Sequence, residues 1–338
     1  MAPEPVHVGV EASSGTEHDD LMAVLRHQES LGGLRLVESG GEVVHALGWA
    51  GARRAARSPA PWVLTPPRMP VELAPSQRTL LLSADAVVVR TSQQRDAAHA
   101  AGVPWYRLFV VPVAADPTTY ARSGPAARNT ERYRIVVEAT GSDDGIATVI
   151  AAVATWDAAE LVIVAGQRAA TLRREARRAG LADRSVVVQP RDGAERAWWL
   201  RSAHAVVAVP SGGVPPSIAL DAMACGVAVV ATSVDQLEDL VVHGVTGLHV
   251  PVGDATSLAH AVRSIVADPF RLEAFGMAAA DRALNRYSPE RVGRDLVAVY
   301  RRLLVGRTGL VEGDAVDLAD ADAVDVAEAP VELDGAAR

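Results

Sequence analysis

Pro210-Ser-Gly-Gly-Val-Pro-Pro-Ser-Ile-Ala-Leu-Asp-Ala-Met-Ala-Cys-Gly-Val-Ala-Val-Val-Ala-Thr232, running on to His243-Gly-Val-Thr-Gly-Leu-His-Val-Pro-Val-Gly-Asp254, decides how the chain is read. Ahead of it, Val206–Val209 is a short apolar run that Pro210 and the following glycines stop. Pro215 and Pro216 suit a first helical turn, with φ fixed and no N–H to satisfy. Apolar residues then recur at helical spacing from Ile218 to Ala224, and Gly226 supplies the stop. Val227–Ala231 has the unbroken apolar character of a parallel strand buried on both faces. The order is strand, glycine-bearing loop, helix, strand. In open α/β sheets ligands sit beyond the carboxyl end of such a strand, and anions gain from the helix N–H groups.

The same alternation extends along the chain. In the first half, strands are predicted at Val6–Val10, Glu42–Leu47, Trp62–Thr65, Ala84–Arg90 and Leu108–Val113, with helical spacing at His18 to Gln28, Gly51–Arg57 and Ser92–Ala101 and a helix end at Thr79–Leu82. In the second half, strands are predicted at Tyr133–Ala139, Leu161–Ala165, Ser185–Val188, Ala205–Val209, Val227–Ala231 and Gly247–Val250, each followed by a helical pattern. Residues 117–131 are rich in Pro, Gly, Ala and Ser and read as a linker. The expected organisation is a Rossmann-like domain over 1–116, the linker, a second over 132–287, a crossing helix over 288–309 and an acidic tail over 310–338. The fold class is α/β, two doubly wound parallel sheets facing a cleft.

Composition narrows the chemistry. The chain has 338 residues, 49% hydrophobic, and all 33 of its basic residues are arginine, so no role that needs an ammonium group can be filled. Residues 310–338 carry nine acids against Arg338 alone, which accounts for the whole net charge of −8 and leaves the body balanced. No basic patch argues for nucleic acid. The tail reads as disordered, serving solubility or a protein partner. Cys225 is alone, so no internal disulfide forms, and a cytoplasmic location is expected. No apolar run reaches the roughly 18 residues of a membrane span.

The frames Asp221-Ala-Met-Ala-Cys-Gly226 and His243 to Asp254 resemble the donor-sugar site of retaining GT-B glycosyltransferases, bacterial hexosyltransferases that use nucleotide sugars. Glu42-Val-Val-His-Ala-Leu-Gly-Trp49, Leu82-Ser-Ala-Asp-Ala-Val-Val-Val89 and Arg107-Leu-Phe-Val-Val-Pro-Val-Ala-Ala-Asp116 resemble successive strands and helices of that family's first lobe. Among its branches the opening looks closest to the mycothiol-pathway inositol-phosphate glycosyltransferases. The resemblance implies the GT-B fold with an abridged N-terminal lobe, and a last helix that crosses back onto that lobe. It also implies a nucleotide-sugar donor, an unknown acceptor and no metal or other cofactor.

The resemblance also assigns site residues, and most depart from the family pattern. Gly213 stands where the first acid belongs, and Asp221 replaces the second, which in the family binds nucleoside ribose hydroxyls. The turn Gly141-Ser-Asp-Asp-Gly145 stands for the diphosphate clamp, with Ser142 for its Arg and Asp144 for its Lys. Asp143 and Asp144 put negative charge where phosphate should lie, and like charges about 5 Å apart repel by roughly 1–4 kcal/mol. Arg168, after the next strand, reads either as a partial substitute cation or as a solvated helix-start residue. Ser211 and Ser217 read as caps or as phosphate donors. Asp221 reads as a ribose ligand or as a surface acid. His45 keeps the first of two family histidines, facing the cleft or packed in the core, and Leu47 replaces the second. Trp198 and Trp199 read as packing, and His204 and His243, at an apolar strand and a turn, have no partner at metal-ligand spacing.

Three readings follow. One is weak or altered hexosyl transfer from a nucleotide sugar with retention. The alternative is an inactive relative that acts as scaffold or regulator of an active transferase. A third reading is a GT-B variant whose site uses other residues.

Overall fold

The computed structural model describes residues 4–12, 16–38, 40–67, 72–128, 130–139, 144–166, 168–209 and 217–307. The first lobe runs β1 (Val6–Glu11), α1 (Thr16–Ser30), β2 (Leu34–Val37), β3 (Val43–Leu47), α2 (Gly48–Ala55), β4 (Trp62–Thr65), α3 (Pro75–Ser83), β5 (Ala86–Val89), α4 (Ser92–Ala100) and β6 (Leu108–Val110). The second runs β7 (Tyr133–Ala139), α5 (Asp144–Ala154), β8 (Ala159–Ala165), α6 (Ala169–Arg178), β9 (Ser185–Val188), α7 (Gly193–Arg201), β10 (Ala205–Ala208), α8 (Ser217–Ala224), β11 (Val229–Thr232), α9 (Asp235–Leu240), β12 (Gly247–Val250), α10 (Ala255–Val266) and α11 (Pro269–Arg286). The last helix is α12 (Pro289–Arg307).

Each lobe holds one six-stranded sheet, ordered β2-β1-β3-β4-β5-β6 and β12-β11-β10-β7-β8-β9, with every pairing parallel. The runs explain the pairing: β4, β5, β8, β10 and β11 are buried at every position, which requires helices on both faces. In the second lobe the chain winds outward from β7 and then resumes beside it at β10. The crevice between those two strands is where the winding reverses, and such crevices bind ligands.

Helix boundaries follow local chemistry. Asp192 accepts from Glu195 N at 2.8 Å at the start of α7, and Asp254 accepts from Ser257 N at 2.9 Å at the start of α10. Asp268 caps α11, with Pro269 in its first turn. After α8, Gly226 takes φ 72° and Val227 N donates back to Ala222 O at 2.9 Å, a closure that L residues other than glycine rarely adopt. Val227 and Ala228 are spent leaving this helix, so β11 begins at Val229, two residues later than the apolar run suggests. The edge strand β2 is missing from the sequence reading, because it is only four residues long and of them only Leu34 is fully buried.

Four clusters fill the two faces of each sheet. Val292, Leu296, Val299 and Tyr300 of α12 belong to a first-lobe cluster, packed with Leu21 and Leu25 of α1. The lobes also meet where Asp239 of α9 accepts from Ser92 N of α4 at 2.7 Å. No described helix is long and apolar enough to cross a membrane.

Gly247 in β12 tests the close approach of neighbouring strands. A Cβ there would collide with the Val229 carbonyl oxygen and press on Val241. Gly247→Ala is expected to lower stability by about 1–3 kcal/mol, as overpacking does, read as a lower urea midpoint with unchanged slope.

Candidate functional site

Five described side chains converge at the carboxyl end of β7 and the first turn of α8. Glu138 is the penultimate residue of β7. Ser217 and Asp221 lie four residues apart on α8 and therefore share a face. Arg196 comes from α7, whose Ala197 and Leu200 are buried in the core beneath it. Tyr120 comes from the segment that precedes β7.

The guanidinium joins all of them. Nη1 donates to Asp221 Oδ2 at 2.5 Å and to Tyr120 Oη at 3.2 Å. Nη2 donates to Glu138 Oε2 at 3.1 Å and to Ser217 Oγ at 3.0 Å. Its Cζ lies 5.7 Å from the Tyr120 ring centroid, within cation–π range. The side chains of Arg196, Glu138 and Asp221 are only 16%, 14% and 10% exposed, so these are largely desolvated charges. Nε is buried with no hydrogen-bond partner among the described residues.

Electrostatics follow from that burial. Desolvation pushes the Asp221 carboxyl up to about 7, although Arg196 pulls the other way and Glu138 adds to the rise. Burial also raises Glu138, with Arg196 opposing. Burial works against the Arg196 charge as well, but Asp221 and Glu138 outweigh it and hold the guanidinium protonated. Burial raises the Tyr120 hydroxyl, helped by the Asp221 charge. Asp221 is thus no surface acid: the reading that placed it on the surface is corrected, because an arginine 25 residues earlier makes its burial tolerable.

The other expected residues are placed as follows. Gly141, Ser142, Asp143, Ser211 and Gly213 lie outside the described residues, as does the side chain of Asp144, whose backbone opens α5. Arg168 occupies the N-cap position of α6 and is half-buried. Ser217 opens α8, exposed, with its hydroxyl accepting from Arg196.

For His45 the packed-core reading holds, and its cleft-facing, catalytic reading is corrected. It does not face the cleft: it is fully buried between β4 and α12, with Nδ1 2.7 Å from Tyr300 Oη and Nε2 2.8 Å from Thr65 Oγ1. Burial, with the Arg90 charge nearby, lowers its pKa to about 3, so the ring is neutral and holds α12 to the first lobe. Trp199 packs against the second-lobe core, with Arg134 over its ring, and His204 accepts from Arg134 N at 3.0 Å. His243 Nδ1 accepts from His249 N at 3.0 Å. Among the described residues no group of three or more His, Cys, Asp or Glu could hold a metal ion.

Sequence reasoning missed Arg196, Glu138 and Tyr120. Arg196 sits in Glu-Arg-Ala-Trp-Trp, where it looks like any solvated helix arginine. Glu138 offered a fainter signal, an acid directly after the apolar run Ile135-Val-Val137.

Residues 134–268 match the family described as "Glycosyl transferases group 1". Over 109 residues the chain is 37% identical to the alpha-maltose-1-phosphate synthase of Mycolicibacterium smegmatis, a match that covers 30% of this chain and 28% of that protein. Over 127 residues it is 39% identical to the D-inositol 3-phosphate glycosyltransferase of Kribbella flavida, covering 37% and 30%. The matches therefore span less than a third of those relatives. Among solved structures, sucrose-phosphate synthase from Thermosynechococcus elongatus superposes with TM-score 0.72 at 19% identity, over 90% of this chain and all of that one. Anabaena Alr3699/HepE, in complex with UDP and glucose, gives TM-score 0.69 at 13% identity, over 88% of this chain and all of that one. The fold shared with these glycosyltransferase structures is GT-B.

Proposed function

On the footing that residues 134–268 form a group 1 glycosyl transferase domain within a GT-B fold, we propose that the chain transfers a hexosyl group from a nucleotide sugar to an acceptor, with retention. The observation that carries this reading is the Arg196 hub, which sits at the reversal between β7 and β10 and presents the Asp221 carboxylate from the first turns of α8. That crevice is where an open α/β sheet takes its ligand. A carboxylate there can accept hydroxyl hydrogens of the donor, and the facing lobe excludes water so that transfer competes with hydrolysis.

The balance of charge favours slow turnover. The family's clamp cations are replaced by Ser142 and Asp144, and Gly213 carries no carboxylate. Losing a single transition-state donor commonly costs about 2.7–4 kcal/mol. These departures support the second reading, an inactive scaffold or regulator of an active transferase, for which the nine acids of residues 310–338 supply negative charge that suits a partner or solubility. We read the N-terminal lobe as abridged and the reaction as independent of metal.

Titration calorimetry with UDP-, GDP- and ADP-sugars separates the two. The transferase reading expects saturable donor binding below about 1 mM, an affinity of at least about −4.1 kcal/mol, with slow hydrolysis of the bound donor that EDTA leaves unchanged. No heat at millimolar donor, with the chain folded by circular dichroism, leaves the scaffold.

A further inference from the structure

We infer that Arg196 is the positioning residue of the donor pocket: it aims the Asp221 carboxylate at a vicinal diol, as on a ribose or hexose, and does not itself bind phosphate. This rests on the donor reading above. The geometry points to it because both terminal nitrogens are committed, Nη1 to Asp221 and Tyr120, Nη2 to Glu138 and Ser217. Those four contacts use all four Nη hydrogens. A phosphate could take one only by displacing the Tyr120 or Ser217 hydroxyl, or by stripping a buried carboxylate of its cation. Charge argues the same way. With both carboxyls ionised, one guanidinium and two carboxylates sum to −1, which repels a diphosphate and is indifferent to a neutral diol. Only Oδ2 of Asp221 is engaged by Arg196, which leaves Oδ1 to accept hydroxyl hydrogens.

The carboxylate is the form that accepts from a diol, so affinity should follow its ionisation. The charged and titratable groups around it are Arg196 on α7, Glu138 on β7, Tyr120 and Asp116 in the preceding segment, and Cys225 one turn on. Arg196 favours the ionised form, whereas Glu138 and Asp116 oppose it.

The test measures binding of uridine, guanosine and adenosine, and of their diphosphates, from pH 5.5 to 9. Affinity for the nucleoside is expected to rise through an inflection near 7, the value of the Asp221 carboxyl, while repulsion by the charge gained there blunts the rise for the diphosphate, and Asp221→Asn should abolish the inflection. Arg196→Met should weaken nucleoside and diphosphate by the same factor, roughly tenfold or about 1.4 kcal/mol, and move the inflection up. Arg196→Lys should hold the inflection closer to the wild type, and Glu138→Gln should move it down. A merely structural arginine would weaken binding without moving the inflection. A loss confined to the diphosphate, or pyrophosphate that binds the wild type but not Arg196→Lys, overturns the inference. If no nucleoside or nucleotide binds the folded wild type, the donor reading is what fails. The Arg196 role is then read from the 13C-carboxyl titration of Asp221 in the unliganded chain, which Arg196→Met must move up and Glu138→Gln must move down; an unmoved titration refutes it.

Discussion

Replacing Arg196 by Met is expected to lower the unfolding free energy by about 3–5 kcal/mol at pH 8, and by clearly less at pH 5.5. The substitution leaves Asp221 and Glu138 buried beside one another without their shared cation. Removing one member of a buried pair costs more than the pair itself contributes, because the remaining charge is stranded in low dielectric. Protonation relieves that cost. Asp221 has a folded pKa of about 7 against an ordinary value of 3.8, so between those values the native state holds the proton more tightly than the unfolded chain. Its contribution to stability is complete below pH 3.8 and fades as pH rises through 7. The same direction holds for Glu138. Urea unfolding of wild type and variant at the two pH values measures the gap. A gap that does not narrow at pH 5.5 would mean that the two carboxylates are not what the guanidinium stabilises.

Tyr300→Ala is expected to cost a comparable amount, about 3–5 kcal/mol, and Tyr300→Phe about 1–3 kcal/mol. Tyr300 is fully buried in the first-lobe core, and its hydroxyl is the partner of His45 Nδ1. The Phe variant isolates the hydrogen bond: the ring still fills its space while a buried imidazole nitrogen loses its partner. The Ala variant adds a cavity and uncouples α12 from β3, so limited proteolysis should cut near residues 288–307 sooner. The His45 ring adds an acid limit. Its folded pKa of about 3 lies below the ordinary 6.5, so its contribution is present above pH 6.5 and is lost as pH falls towards 3. Full resistance of Tyr300→Phe to urea would show that the His45–Tyr300 contact carries no net stability.

Much of the architecture was legible along the chain. β4, β7, β9 and β12 begin and end where the sequence runs do, because proline, glycine or charged residues bound each of them. The α8 junction was legible for another reason: Pro at the start and Gly at the end act on the backbone within a few residues. The site was legible only as a place. Its loop, its helix and Asp221 stand out, but the side chain that governs Asp221 does not. An arginine in Arg196's position scores as solvent-facing, since nothing local reveals that Glu138, 58 residues back, will lie beneath it. His45 misled for the same reason: its partner Tyr300 lies 255 residues away.

The linear pattern by itself determined two wound parallel sheets, the chain order of most of their elements and the strand end that opens onto α8, because hydrophobic period, capping and turn chemistry act over a few neighbouring residues. Tertiary structure alone decided which charges are buried together. Desolvation and ion pairing are properties of what surrounds a side chain. For Arg196, Asp221 and Glu138 those surroundings are drawn from the linker, β7, α7 and α8 only when the second lobe closes.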